Sequence, residues 1–174
     1  MYNNSHTLNT NPFELLSELE QFLYYEARCI DEKRWHDWLE LYLEEAIYWI
    51  PTDREQIDPL QQASIAYEDK ATLRLRTKRM THPQAHSLDR RPESTHLVTN
   101  VMLDDVLEND TVIYRLSSSF MVLGYQEDFR NTQTVYGGKY SHEIVRVGKQ
   151  LKIKSKKVVL NNCDAPHRNI QILL

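Results

Sequence analysis

Apolar side chains recur at helical spacing from Leu15 through Leu16, Leu19, Phe22, Leu23 and Ala27 to Ile30, which predicts an amphipathic helix with one face for the core. Its start is marked as well. Asn11 is a good N-cap, Pro12 suits the first helical position, and Glu14 can complete a capping box. Asp31 is placed to cap a second, short helix carrying Trp35, Trp38, Leu39 and Tyr42. The period then changes. Ala46 to Ile50 is β-branched and aromatic, and Pro51 ends it, as expected of a strand. Asp53 to Gln62 is polar and irregular and reads as a loop. Asp69 to Met80 returns to helical character, with Leu73 inside and Arg74, Arg76, Lys78 and Arg79 solvated or paired. Thr81 to Glu93 holds Pro83 and Pro92 and reads as a long loop, of the kind that is usually functional.

The second half is strand-rich. His96 to Leu103, Val112 to Tyr125, Val135 to Val147 and Gln150 to Leu160 are β-type runs separated by turn residues. Leu151, Ile153, Val158 and Leu160 interleave with Lys152, Lys154, Lys156 and Lys157, which predicts lysines on a solvated face and aliphatics on the other. Gly137-Gly138 reads as a bulge at the start of a long, bent strand. Helices first and long antiparallel strands after them is the α+β pattern, with a curled sheet wrapped around the helices. Residues 1–11 are polar and Asn-rich and are expected to form a flexible arm, with one domain over 12–174.

Composition narrows the function classes. The 174 residues are enough to bury a sizeable core, and a formal charge of -4 gives no basic footprint for nucleic acid. No apolar run approaches the roughly 20 residues of a membrane-spanning helix, and the start, MYNNSHTLNTNPF, lacks the charged and apolar regions of a signal peptide. A cytoplasmic protein without membrane or nucleic-acid partners is expected. Cys29 and Cys163 are read as two buried thiols rather than a disulfide framework.

Candidate chemistry is sparse. Four glycines at the wrong offsets exclude a dinucleotide fingerprint or a P-loop, and no nucleophile-elbow motif occurs. Neither cysteine has a histidine at the paired spacing of a Rieske cluster. His82, His86 and Asp89 have the residue types of a two-His-one-carboxylate iron site, but Pro83 and a loop-like setting deny them a rigid frame. His96, at the mouth of a strand, could act as a general base with Asp104 or Asp105, as in cone-shaped isomerases and dehydratases. The favoured reading is a histidine that fixes structure through hydrogen bonds. Trp35, Trp38, Tyr42, Tyr48 and Trp49 read as core aromatics before they read as a ligand pocket.

Several motifs in order carry a resemblance. They are Glu26-Ala27-Arg28, Asp31, Trp35, Trp38-Leu39, Tyr48-Trp49-Ile50-Pro51, Leu73-x-x-Arg76-x-x-Arg79, Thr95-His96-Leu97-Val98-Thr99-Asn100-Val101 and Lys156-Lys157-Val158-Val159-Leu160-Asn161, closed by the apolar tail Ile170 to Leu174. Together they resemble the small (beta) subunit of aromatic-ring-hydroxylating dioxygenases over nearly the whole chain. Thr95, where the branch acting on fused or biphenyl rings usually carries Arg, points to the benzoate-, toluate- and anthranilate-like branch. Thr77 and Lys78 depart from the family's pattern between the two helix arginines.

The resemblance implies a cone-shaped fold of the nuclear-transport-factor-2/cystatin-like type and no catalytic residue, cofactor or metal in this chain. It implies a large (alpha) subunit as partner, in a hexamer of three large and three small subunits. That subunit would hold the Rieske 2Fe-2S cluster and the mononuclear iron, and a reductase or ferredoxin component would feed it electrons from NADH. Structural or interface roles are expected of Trp38, Tyr48, Arg76, Arg79, His96, Asn100, Lys157 and Leu174. The aromatic helix-strand region, the 81–93 loop and the apolar tail are the expected contact surfaces.

Overall fold

The computed structural model describes residues 11–81, 92–108, 111–127, 132–167 and 170–174. Residues 1–10 of the arm expected at 1–11, and His82, His86 and Asp89, lie outside the described residues. Helix α1 spans Pro12–Asp31, with the Asn11 side chain accepting from the Phe13 N–H at 3.1 Å. Its apolar face buries Leu19, Leu23, Ala27 and Ile30. Helix α2 is a short turn at Trp35–Glu40, and α3 spans Lys70–Thr81.

Among the described residues six strands form one sheet: β1 Tyr42–Pro51, β2 Ser64–Asp69, β3 Glu93–Glu108, β4 Val112–Gln126, β5 Thr132–Val147 and β6 Gln150–Leu160. Their order is β2-β1-β6-β5-β4-β3. Every pairing is antiparallel except β1 with β6, which is parallel. Helix α1 packs on the inner face near β3, where Leu19 and Leu23 meet Val101, Tyr114, Leu116 and Ile144. A second cluster joins Ile30, Trp38, Tyr48, Phe120, Tyr140, Val158 and Leu160 to the tail residues Ile172, Leu173 and Leu174.

Five local features differ from the sequence reading, four of them expectations and one a strand it left unassigned. Asp31 closes α1 rather than capping α2, whose N-cap Arg34 makes no side-chain capping bond, because the Asp31 carboxylate is engaged by β3. Tyr42 opens β1 instead of ending α2. Residues 64–69 form an edge strand that no clean alternation announces. Gly137-Gly138 is not a bulge, since β4 and β5 pair without a shift there. Gly138 instead allows close approach: a Cβ would collide with the Val159 carbonyl oxygen and press on Leu160 and Phe120.

The fifth change concerns the lysines. The β5–β6 register shifts between Glu143 and Ile144, so that Glu143 faces Ser155 while Ile144 faces Ile153, and Lys154 is the extra residue. One inserted residue moves everything beyond it to the opposite face. Leu151 and Ile153 point inward before the shift, and Lys156, Val158 and Leu160 point inward after it. Lys156 is therefore 2% exposed, not solvated.

Candidate functional site

Two polar nodes lie where the helices meet the sheet. The first joins α1 to β3. Asp31 accepts from the His96 backbone N–H at 2.8 Å and the Ser94 hydroxyl at 2.9 Å, and its Oδ1 lies 2.6 Å from His96 Nδ1. His96 Nε2 lies 3.1 Å from the carbonyl oxygen of Leu173. Burial works to raise the Asp31 pKa, but the hydrogen bonds and charge from His96 and the Ser94 hydroxyl outweigh it and hold the carboxyl below its ordinary range.

This node corrects the acid–base partnership considered from sequence. Asp104 accepts from Ser117 at 2.9 Å and Asp105 faces Arg115 at 3.9 Å, so neither pairs with His96. A general base needs a lone pair aimed at substrate. Both His96 ring nitrogens are turned to acceptors inside the protein, and the side chain is 1% exposed. The adjoining pocket, about 130 Å³, is lined by Ile30, Trp35, Met80, Ser94 and Leu173, and His96 is not on its wall.

The second node is a buried ion pair that sequence reading missed. Glu26 on α1 is 3% exposed, and its Oε1 accepts from Lys156 Nζ at 2.8 Å, Tyr42 Oη at 2.8 Å and Trp38 Nε1 at 3.4 Å. Lys156 Nζ also sits 4.4 Å from the centre of the Tyr140 ring, a cation–π contact. His142 Nε2 approaches Glu26 Oε2 to 3.3 Å without hydrogen-bond alignment, and its Nδ1 finds no partner among the described residues. Burial alone would raise the Glu26 pKa. The Lys156 charge and His142 reverse that, so the carboxyl is held well below its usual range and stays ionised.

His142 gives a pH signature. Burial lowers its pKa from the ordinary histidine value, with Glu26 opposing and the Lys156 charge adding to the effect. In the unfolded chain the ring takes up a proton below about pH 6.5, whereas the folded ring does so only at lower pH. The unfolded state then binds more protons in that window, so stability falls as the pH drops. Urea denaturation between about pH 7.5 and 5.5 is expected to show a steeper loss for the wild type than for His142→Phe. Parallel curves would contradict the assignment. Glu26 and Asp31 do not enter this window, because depressed carboxylates lose their contribution only below about pH 4.

The other expected residues distribute as follows. Trp38 and Tyr48 are fully buried, and the Tyr48 hydroxyl donates to the Leu174 carbonyl oxygen at 2.8 Å. Arg76 pairs with Glu68 at 3.0 Å and donates to the Ile172 carbonyl at 3.2 Å, tying α3 to β2 and the tail. Asn100 adopts a left-handed φ of 53° where the β3–β4 register shifts, a conformation Asn tolerates better than most residues. Lys157 donates to the Gln56 carbonyl at 2.6 Å and lies 4.2 Å from the Trp49 ring centre, which pins the 53–62 loop. Arg79 is exposed and makes no ion pair with the described residues. Ile172, Leu173 and Leu174 are buried in the chain's own core, so the tail does not offer the exposed apolar surface expected of it.

No group of three or more His, Cys, Asp or Glu side chains able to hold a metal occurs among the described residues. Cys29 and Cys163 are free and buried in an apolar cluster, and neither has a histidine at the paired spacing of a Rieske motif, a donor set that does not fit such a cluster. No helix among those residues is long and apolar enough to cross a membrane.

The curved sheet wraps around α1, and the Glu26–Lys156 pair with the rings of Trp38, Tyr42 and Tyr140 is buried between them. Comparison with known proteins gives the family. The model of the ring hydroxylating beta subunit family matches residues 25–166. The chain is 29% identical to the small oxygenase component of the p-cumate 2,3-dioxygenase system of Pseudomonas putida, over 93% of this chain and 88% of that one. It is 29% identical to the benzoate 1,2-dioxygenase subunit beta of Acinetobacter baylyi, over 84% and 86%. The crystal structure of the beta subunit of benzoate 1,2-dioxygenase from Burkholderia mallei superimposes with a TM-score of 0.69 at 26% identity, covering 91% of this chain and 97% of that one. The fold is the cone-shaped α+β type that the resemblance implied. The chain belongs to the ring hydroxylating beta subunit family.

Proposed function

We propose that this chain is the small subunit of a terminal oxygenase that dihydroxylates an aromatic carboxylate of the benzoate kind, and that its role is assembly. The observation that carries the reading is the interior of the cone. Where a cone-fold enzyme needs an open cavity, this chain packs Glu26, Lys156, His142, Trp38 and Tyr42 against one another. The benzoate and p-cumate relatives favour the aromatic-carboxylate branch. The partner is a large subunit expected to carry the Rieske cluster and the mononuclear iron, with electrons arriving from NADH through a reductase in the cytoplasm. Three large and three small subunits would form a ring, and a closed ring requires a heterologous interface whose rotation is fixed. A rigid cone under each large subunit supplies that constraint. Trp38, Tyr48, His96, Asn100, Lys157 and Leu174 would keep the cone rigid, and α3 would face the partner.

Turnover separates this role from an independent enzyme. Given a reductase, NADH and O₂, the large subunit with this chain is expected to convert benzoate or a substituted benzoate to its cis-diol. This chain alone is expected to convert nothing. Turnover of a small hydroxylated or carbonyl substrate by the isolated chain, lost in His96→Ala, would restore the cone-fold isomerase or dehydratase alternative.

A further inference from the structure

Helix α3, KATLRLRTKRMT, carries Lys70, Arg74, Arg76, Lys78 and Arg79 and no acidic residue, on a chain whose formal charge is -4. Part of that charge is answered internally. Lys70 and Arg74 approach Glu44 to 2.9 and 3.6 Å, and Arg76 approaches Glu68 to 3.0 Å. Lys78 and Arg79 are exposed and have no ion-pair partner among the described residues. Thr72, Leu75, Arg76 and Arg79 recur at helical spacing and face one open pocket of about 470 Å³ between α3, β2 and the tail.

That pocket is amphipathic. Ile65 and Ile170 line its apolar side, and Leu75 at its rim is 53% exposed. Its polar side holds Arg79, and the buried Nε2 of His167, another lining residue, has no hydrogen-bond partner among the described residues. Glu68, the one acidic residue among the described lining residues, is paired with Arg76. A guanidinium without an ion-pair partner among the described residues, set beside apolar surface, suits a carboxylate carried next to an apolar group, because the guanidinium fork matches carboxylate geometry. Exposed basic charge continues beside the pocket at Lys78, which is not among its lining residues.

We infer that the α3–β2 pocket is a docking point for an acidic, apolar-flanked segment of the large oxygenase subunit. The inference rests on the proposed role as a small subunit and adds the surface and the chemistry of its partner. Arg79 anchors the carboxylate, and Leu75 covers the neighbouring apolar side chain. Arg76 is already committed inside the chain and supports the pocket wall.

The test uses the co-expressed complex with Arg79→Glu and Arg79→Ala, and with Lys149→Glu on the β5–β6 hairpin as a control of equal charge change. Arg79 and Lys149 are both exposed, so thermal melts of the isolated variants are expected to match the wild type. Dissociation on dilution, followed by analytical ultracentrifugation, should show Arg79→Glu weakening the complex about tenfold or more, Arg79→Ala less, and Lys149→Glu not at all. The gap should narrow at high salt, since exposed charges are screened. Arg79→Glu assembling as tightly as wild type, or Lys149→Glu weakening it equally, would overturn the docking surface while leaving the subunit role intact. Benzoate binding at Arg79 by NMR, with assembly of Arg79→Glu unchanged, would assign the pocket to a small carboxylate instead. Failure of the wild type to bind the large subunit would remove the subunit role, and this inference with it.

Discussion

Glu26→Ala should destabilise the folded chain by about 3–5 kcal/mol, because it leaves the Lys156 ammonium charged and unpaired in the core. The residue is 3% exposed, and removing it also strips Tyr42 Oη and Trp38 Nε1 of their acceptor. Lys156→Met should cost a similar amount for the mirror reason, an ionised carboxylate without its cation. The double variant is the informative one. Replacing both charges removes the uncompensated ion, so Glu26→Ala with Lys156→Met should cost clearly less than the two single changes added together. Urea denaturation of the four proteins closes the cycle. Additive losses would mean that the pair is not coupled and that the interior is more hydrated than the packing implies.

Gly138→Val is expected to cost about 3 kcal/mol, the upper end for overpacking, because the obstacle is main chain and cannot rotate away. A side chain there meets the Val159 carbonyl, Leu160 and the Phe120 ring, which stacks on Tyr140 at a centroid distance of 4.0 Å. Gly148→Ala makes a useful contrast. Gly148 has a φ of 61° and no atom near a new Cβ, so its penalty is one of backbone conformation alone, about 1 kcal/mol. A Gly138 variant as stable as wild type would show that β5 and β6 can separate, against the register described here.

The fold was legible where one face of an element meets the core and the other meets water. That condition holds for α1, whose apolar spacing marks it from Leu15 to Ile30, and for the long strands β3 to β6. It fails for β2, an edge strand of mostly half-buried residues. The lysine face was misjudged although its cause is written in the sequence. Leu151 and Ile153 occupy odd positions and Val158 and Leu160 even ones, so the alternation breaks phase between them and carries Lys156 inward.

The polar nodes were harder to see. Lys156 and Glu26 are 130 positions apart, and His96 and Asp31 are 65 apart. An acidic residue at a helix end reads locally as a cap. Only the closure of β3 onto α1 shows that the Asp31 carboxylate is already engaged.

Native mass spectrometry of this chain co-expressed with the large subunit tests the central claim most directly. The account predicts one assembly containing equal numbers of the two chains, with the metal confined to the large subunit after the chains are separated. A large subunit that forms its complete, active ring without this chain, or a small chain that stays apart from it, would contradict the claim.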